Sequence, residues 1–111
     1  MKSDVVIVTK KDYNAWLDVG NLFAKSICDR NEVLRQFNQL SYYDRIIIKK
    51  EFNVCDKIRK NKMPYANQED LIISIMVDAH IIATEYKIDP LTAILCIKPI
   101  CKPNEKILLR G

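Results

Sequence analysis

The sequence contains little glycine, with only Gly20 and Gly111 among its 111 residues. Folds built from many tight hairpins need residues that adopt positive φ, and glycine does so most readily. Its scarcity therefore favours helices. Two glycines also cannot form a glycine-rich phosphate-binding loop. His80 is the sole histidine, so any cysteine–histidine nucleophile pair would depend on this one side chain.

Long apolar runs are absent as well. A membrane-spanning helix needs roughly 18 or more consecutive apolar residues, and no window of the sequence approaches this. The apolar run from Val5 to Val8 is too short for the core of a signal peptide. We therefore expect a cytoplasmic protein without membrane contacts. In that compartment we expect reduced, buried thiols at the four cysteines, which are Cys28, Cys55, Cys96 and Cys101.

Length and composition indicate one folded domain over residues 1–111. A chain of this size can bury a core without disulfide bonds. Hydrophobic residues make up 49% and charged residues 29% of the chain, which is typical of a globular protein. The net charge of +4 permits contact with nucleic acid but does not require it. Ile, Lys and Asn, which have A/T-rich codons, form about a third of the chain and suggest a viral, phage or low-GC bacterial genome.

The hydrophobic pattern predicts a mainly α fold, a compact bundle of four to five helices. Capping residues and prolines mark where these helices begin and end. The predicted helices are a stripe from Tyr13 to Ile27, a short helix capped by Asn31, a helix from Ser41 to about Lys60, a helix from Asn67 to about Tyr86, and a helix that begins at Asp89-Pro90 and is stopped by Pro99 and Pro103.

Two short strands are predicted near the ends of the chain. The β-branched residues between Asp4 and Thr9 favour a strand, and residues 106–110 could pair with it as a two-stranded ribbon. The fourth helix is apolar nearly all round, so we expect it to be the central helix of the bundle. Its narrow polar strip consists of Asp70, Ser74, Asp78 and Glu85.

The third helix carries the strongest electrostatic pattern. Its predicted buried face consists of Tyr43, Ile47, Val54 and Ile58, joined by Ile48 and Cys55. Basic residues fall on the other side, and more positive charge follows near the C-terminus. Such a face could bind a phosphate backbone or an acidic protein surface without reading sequence. The residues predicted to form it are Arg45, Lys49, Lys50, Lys57, Arg59, Lys60, Lys62, Lys98 and Lys102.

Residues Ala83 to Ala93 resemble the spacing of a helix-turn-helix motif, with a small residue at the crossing and apolar residues on both sides of the turn. Lys87 stands where the turn usually has glycine. The second helix would carry Leu95, Cys96 and Ile97 where Arg, Asn or Gln would read base edges. The pattern therefore predicts a folding motif more readily than a reader of DNA sequence.

Enzymatic and metal-binding functions are the least supported. Cys96 and Cys101 are five residues apart, and no second close Cys or His pair completes a zinc site. His80 is typical of a packed, hydrogen-bonded histidine, and the separation of Asp78 and Glu85 is common among solvated acidic pairs. We expect no catalytic residues, no metal and no cofactor.

Two binding functions remain. The leading hypothesis is a non-enzymatic accessory or regulatory protein whose basic helical face contacts nucleic acid or a component of the transcription or replication machinery. The alternative is a protein–protein interaction module, such as an inhibitor or host-factor modulator, that could form a homodimer. Tyr13, Trp16 and Phe23 are its candidate contact residues, since aromatic residues dominate interface energetics. Apolar surface on the first and fourth helices could also remain available to a partner.

Overall fold

Five α-helices and a two-stranded parallel sheet make up residues 5–17, 29–97 and 106–110, which are the residues that the computed structural model describes. This confirms the predicted helical fold class with a ribbon formed by the two terminal segments. No helix in these ranges has the length and apolar character needed to cross a bilayer. In chain order the elements are β1 (Val5–Thr9), α1 (Lys10–Leu17), α2 (Arg30–Gln39), α3 (Tyr42–Lys62), α4 (Gln68–Tyr86), α5 (Pro90–Leu95) and β2 (Lys106–Arg110).

Side-chain caps fix where the helices begin. Ser41 accepts a hydrogen bond from the Asp44 amide at the start of α3, and Asn67 accepts one from the Asp70 amide at the start of α4. These contacts satisfy backbone donors that have no partner within a helix. The cap of α2 differs from the prediction. Asp29, two residues before Asn31, is the N-cap and accepts the hydrogen bond from the Asn31 amide.

The terminal strands pair in parallel, with Val5 opposite Lys106 and Thr9 opposite Arg110. Asn38 of α2 borders this ribbon. Its amide nitrogen donates to the Ile107 carbonyl at 2.9 Å, and its amide oxygen accepts from the Ile107 N–H at 2.8 Å. One side chain thus satisfies both backbone groups of Ile107, as a neighbouring strand would.

The short helix α5 occupies the centre of the fold, and the prediction that α4 would do so is wrong. Residues 91–96 are all buried, and α5 packs against α4, α2 and α1. In contrast, α4 exposes one apolar side to solvent. The apolar pattern of α4 suggested burial on all sides, but the contacts of α4 with α3 and α5 cover only part of its apolar surface. Asp78, predicted to lie in the polar strip of α4, is buried instead.

The predicted buried face of α3 is correct for Ile48 and wrong for Tyr43, Val54 and Ile58. Tyr43, Val54 and Ile58 are at least half exposed, whereas Ile48 and Phe52 are buried. Apolar residues occupy two different sides of α3, and hydrophobic periodicity alone does not show which side meets the core. The packing of α3 against α4 selects the side that carries Ile48 and Phe52.

Candidate interaction surface

Part of the predicted basic face is present on α3. Lys49, Lys50, Lys57 and Lys60 are exposed and lie within roughly 100° of one another around the helix axis. The first three of these lysines form no ion pair with any described residue, whereas the Lys60 ammonium lies 3.1 Å from the Asp56 carboxylate. Lys62 is exposed near the end of the helix, on a different side. The result is a short row of lysines, narrower than the predicted surface.

Arg45 does not belong to this row. It is buried, with 8% of its surface exposed, and its Nη2 donates to the Phe37 carbonyl at 2.9 Å. The guanidinium carbon lies 4.0 Å from the centroid of the Phe37 ring, a cation–π arrangement. Arg45 therefore joins α3 to the end of α2, which places it away from the surface where the sequence interpretation had put it.

Arg59 is engaged with α4. Its guanidinium makes two hydrogen bonds to Oδ1 of Asp78, whose side chain is almost fully buried. This contact raises the pKa of Arg59, chiefly through the hydrogen bond. Because Asp78 balances the charge of Arg59, Arg59 adds little to a basic surface. The expectation of one coherent cationic face formed by all the basic residues of α3 is therefore wrong.

The remaining predicted residues are Tyr13, Trp16, Phe23, Lys98 and Lys102, and none of them is found on the described surface. Tyr13 is 1% exposed and its hydroxyl donates to the Arg30 carbonyl, so it is a core residue rather than a surface contact. The backbone of Trp16 lies in α1. Lys98, Lys102 and Phe23 lie outside the described residues.

The segment resembling a helix-turn-helix does form a helix, a tight turn and a second helix. Lys87 ends α4 in the left-handed conformation, with φ of 57° and ψ of 43°. Asp89 then caps α5, and Pro90 occupies its first turn. However, α5 has six residues and is covered on every side by the core, so it presents no face to a DNA groove. The segment is a packing motif.

The described surface carries an exposed aliphatic row on α3 and α4, of which the sequence pattern had indicated only the part on α4. We call it the α3–α4 apolar strip. Its members are 43 to 60% exposed. The large number of apolar residues in α4 indicated that some of them would be exposed. The exposed residues of α3, Val54 and Ile58, were not anticipated because the sequence pattern assigned them to its buried face. The strip consists of Val54, Ile58, Ile73, Val77 and Ile81.

A groove of about 360 Å³ runs between the two helices at one end of the strip. Val54 and Ile81 form part of its apolar lining. Glu51 also lines it, and one of its carboxylate oxygens, Oε2, is buried without a hydrogen-bond partner. The other oxygen accepts a long hydrogen bond, 3.5 Å, from the Tyr86 hydroxyl. Loss of hydration, reinforced by the negative charge of Glu85, raises the pKa of Glu51.

A second groove, of about 380 Å³, lies at the other end of the same helix pair. Lys62, Met63 and Ile73 are among its lining residues, together with Asp70 at the start of α4. Both grooves are open to solvent and combine aliphatic walls with charged rims. This composition is typical of surfaces that bind other proteins.

Neither of the two cysteines in the described ranges is placed for nucleophilic chemistry. Cys55 and Cys96 are free thiols. Burial raises the pKa of Cys96 to about 12, and burial followed by the charge of Asp78 raises the pKa of Cys55. A raised pKa disfavours the reactive thiolate. The described residues also contain no group of three His, Cys, Asp or Glu side chains that could hold a metal ion.

Comparison with other proteins adds no functional assignment to this geometry. No protein-family model, no curated protein and no solved structure matches the chain.

Proposed function

We propose that this chain is a non-enzymatic binding protein that recognises a protein partner through the α3–α4 apolar strip. The observation that carries the proposal is the exposure of five aliphatic side chains on adjacent helices of one surface. Single exposed aliphatic residues are common in monomers, but a contiguous row rimmed by charges is characteristic of an interaction site. This keeps the interaction function inferred from the sequence and moves its contact surface from Tyr13, Trp16 and Phe23 to α3 and α4.

The test compares two isoleucines that are equally exposed. Ile81 in the strip and Ile7 on β1 are each 60% exposed, so Ile81→Glu and Ile7→Glu introduce the same charge at matched positions. Tagged wild-type and variant chains are used in quantitative pull-downs from the native cells. We expect a protein that is recovered with wild type and Ile7→Glu to be depleted at least tenfold with Ile81→Glu, because a buried interface cannot accommodate an unpaired carboxylate. Equal recovery with all three chains would contradict the proposal.

The lysine row on α3 supports a second candidate function, binding of nucleic acid or of an acidic protein surface. Lys49, Lys50 and Lys57 are exposed and form no ion pair with the described residues, so their charges remain available to phosphates or carboxylates. Arg45 and Arg59 do not contribute to this row, so its positive charge is smaller than that of the basic face predicted from the sequence. We rank this function second because so few free lysines give weak, sequence-independent binding.

Fluorescence anisotropy with generic duplex and single-stranded oligonucleotides tests this candidate. Affinity should fall steeply as salt rises, and the double variant Lys49→Glu/Lys57→Glu should abolish binding at low salt. Lys106→Glu on β2 is the control for a single charge reversal, since Lys106 is exposed in a different element and its sequence position is far from α3. Absence of binding by the wild type at low salt would eliminate nucleic acid as the ligand.

A further inference from the structure

We propose that the partner of the α3–α4 apolar strip is a second copy of this chain, packed so that α3 of each copy lies over α4 of the other. The inference rests on the proposed function, because it names the occupant of the same surface. The product is a dimer held together by a four-helix bundle, an arrangement in which two helical hairpins cover each other's apolar side.

The distribution of charge across the strip favours a second copy over an unrelated protein. Lys50 and Lys57 lie beside the strip on α3. On α4 the exposed charged residues are Glu69, Asp70 and Glu85, and this helix contains no Lys or Arg. Apart from Glu51 in the groove, the α3 side of the surface is therefore basic and the α4 side is acidic. A surface of this kind is complementary to itself when the basic helix meets the acidic one.

A two-fold axis parallel to the helices produces that pairing. Rotation about such an axis exchanges left and right but keeps each residue at its level along the hairpin, so α3 faces the partner's α4 in an antiparallel orientation. The contact between Glu51 and Tyr86 shows that this part of α3 lies level with the C-terminal end of α4. Lys50 and Glu85 line the same groove at that level. In the dimer, Lys50 of one copy consequently faces Glu85 at the C-terminal end of the other copy's α4.

The groove at that level contains two carboxylates close together. Oε2 of Glu51 is buried without a hydrogen-bond partner, and Glu85 adds a second carboxylate nearby. Uncompensated carboxylates in an apolar groove are unfavourable, and a lysine ammonium provides both charge and donors. In the dimer, Lys50 of the second copy lies opposite Glu85 and supplies a positive charge to that carboxylate.

The size of the surface indicates how tightly the two copies should associate. Helices of 21 and 19 residues, at about 1.5 Å per residue and about 10 Å in width, form a face of roughly 600 Å² per copy. This is at the lower end of specific interfaces, for which about 800 Å² per partner is standard. We therefore expect a dissociation constant in the micromolar range rather than an obligate dimer.

Sedimentation equilibrium of the full chain, from about 1 μM to about 500 μM, measures the association directly. Wild type and Ile7→Glu should show a concentration-dependent monomer–dimer equilibrium, and Ile81→Glu should weaken it at least a hundredfold. Circular dichroism confirms that each variant remains helical. A wild type that is monomeric at every concentration would overturn the proposal. Dissociation by Ile7→Glu and not by Ile81→Glu would also overturn it, since the interface would then lie on the ribbon.

Charge exchange tests the orientation of the two copies and does not depend on Ile81→Glu remaining folded. Lys50→Glu and Glu85→Lys should each weaken the homodimer roughly tenfold, because each reversal creates two repulsive pairs across the two-fold axis. A mixture of the two variants should recover wild-type affinity as a heterodimer, in which every contact is again between opposite charges. Lys49→Glu, on the side of α3 away from the strip, should leave the affinity unchanged. Failure of the mixture to recover affinity would exclude the α3-over-α4 orientation.

These results separate the dimer from the proposed function. A monomeric wild type whose pull-down partner is lost with Ile81→Glu would refute the dimer and support a different protein partner at the same strip. A dimer that is insensitive to Ile81→Glu, together with an unchanged pull-down, would refute both.

Discussion

Arg59 and Asp78 form the principal polar link between α3 and α4. Nη2 of Arg59 donates to Oδ1 of Asp78 at 2.6 Å, and Nε donates to the same oxygen at 3.2 Å. Asp78 is 4% exposed, whereas about a third of the Arg59 side chain remains accessible. The charge of the buried Asp78 carboxylate in α4 is therefore balanced by one arginine in α3.

Substitution of Arg59 should destabilise the folded protein. Arg59→Ala leaves the Asp78 carboxylate buried without its partner, and we expect the free energy of unfolding to fall by about 2 kcal/mol. This is below the cost of breaking a fully buried pair because water can reach the partly exposed site. Urea denaturation followed by circular dichroism measures it. Lys60→Ala, which removes the exposed pair with Asp56, is the control and should cost less than about 0.5 kcal/mol. Equal effects of the two substitutions would refute this account.

The turn between α4 and α5 contains a strained residue. Lys87 adopts φ of 57°, a left-handed conformation that a Cβ atom disfavours and glycine adopts freely. Lys87→Gly should therefore raise the free energy of unfolding by about 0.5–1 kcal/mol. Lys87→Ala retains the Cβ atom and should show no such gain. Thermal denaturation of the three chains is the measurement, and a lower melting temperature for Lys87→Gly would contradict the prediction.

Asn38 should contribute to the stability of the ribbon. Asn38→Ala removes both hydrogen bonds to the Ile107 backbone, partly offset by the better helix propensity of alanine, so we expect a loss of about 1–2 kcal/mol. The adjacent Gln39 is exposed, and Gln39→Ala should have almost no effect. Amide hydrogen exchange at Ile107 gives an independent check, because protection there should fall only in the Asn38 variant.

The stability contribution of Glu51 should depend on pH. Its pKa is raised in the folded protein, so folding favours the neutral form and the ionised carboxylate is destabilising. The stabilisation that comes from the neutral carboxyl group is complete below the unfolded-state pKa. It is lost as pH rises through the higher folded-state pKa. Glu51→Gln should therefore be more stable than wild type by about 1 kcal/mol at pH 7, and the difference should shrink toward pH 4.

Urea denaturation at both pH values, at a protein concentration where both chains are monomeric, tests this prediction. Glu69→Gln is the matched control because Glu69 is exposed at the start of α4, where a negative charge is favourable. That variant should be no more stable than wild type at pH 7. A pH-independent difference for Glu51→Gln would show that its carboxylate is not the cause.

Local signals in the sequence predicted the elements of this fold well. Ser41, Asn67 and Asp89 each accept a backbone hydrogen bond at a predicted helix start, since capping depends on a few neighbouring residues. The two terminal strands were also predicted, although their parallel direction was not. These features need no knowledge of distant contacts.

The orientation of the helices could not be predicted in the same way. The sides of α3 that carry Ile48 and Val54 are similarly apolar, and only the packing of α4 shows that the first is buried. Likewise, the charges of Arg45 and Arg59 look available in the sequence. They are engaged by the Phe37 carbonyl and ring and by Asp78, partners 8 and 19 residues away. The candidate surface therefore changed from a basic face to an apolar strip.

The parallel ribbon also constrains the order in which the molecule can assemble. Each pairing between β1 and β2 joins residues about a hundred positions apart, so the intervening chain must be made and brought back before any of these hydrogen bonds forms. Closing so long a loop carries a large entropic cost, which prior docking of the helices reduces. During synthesis on the ribosome, β1 consequently emerges well before β2 and cannot pair until β2 has also been made.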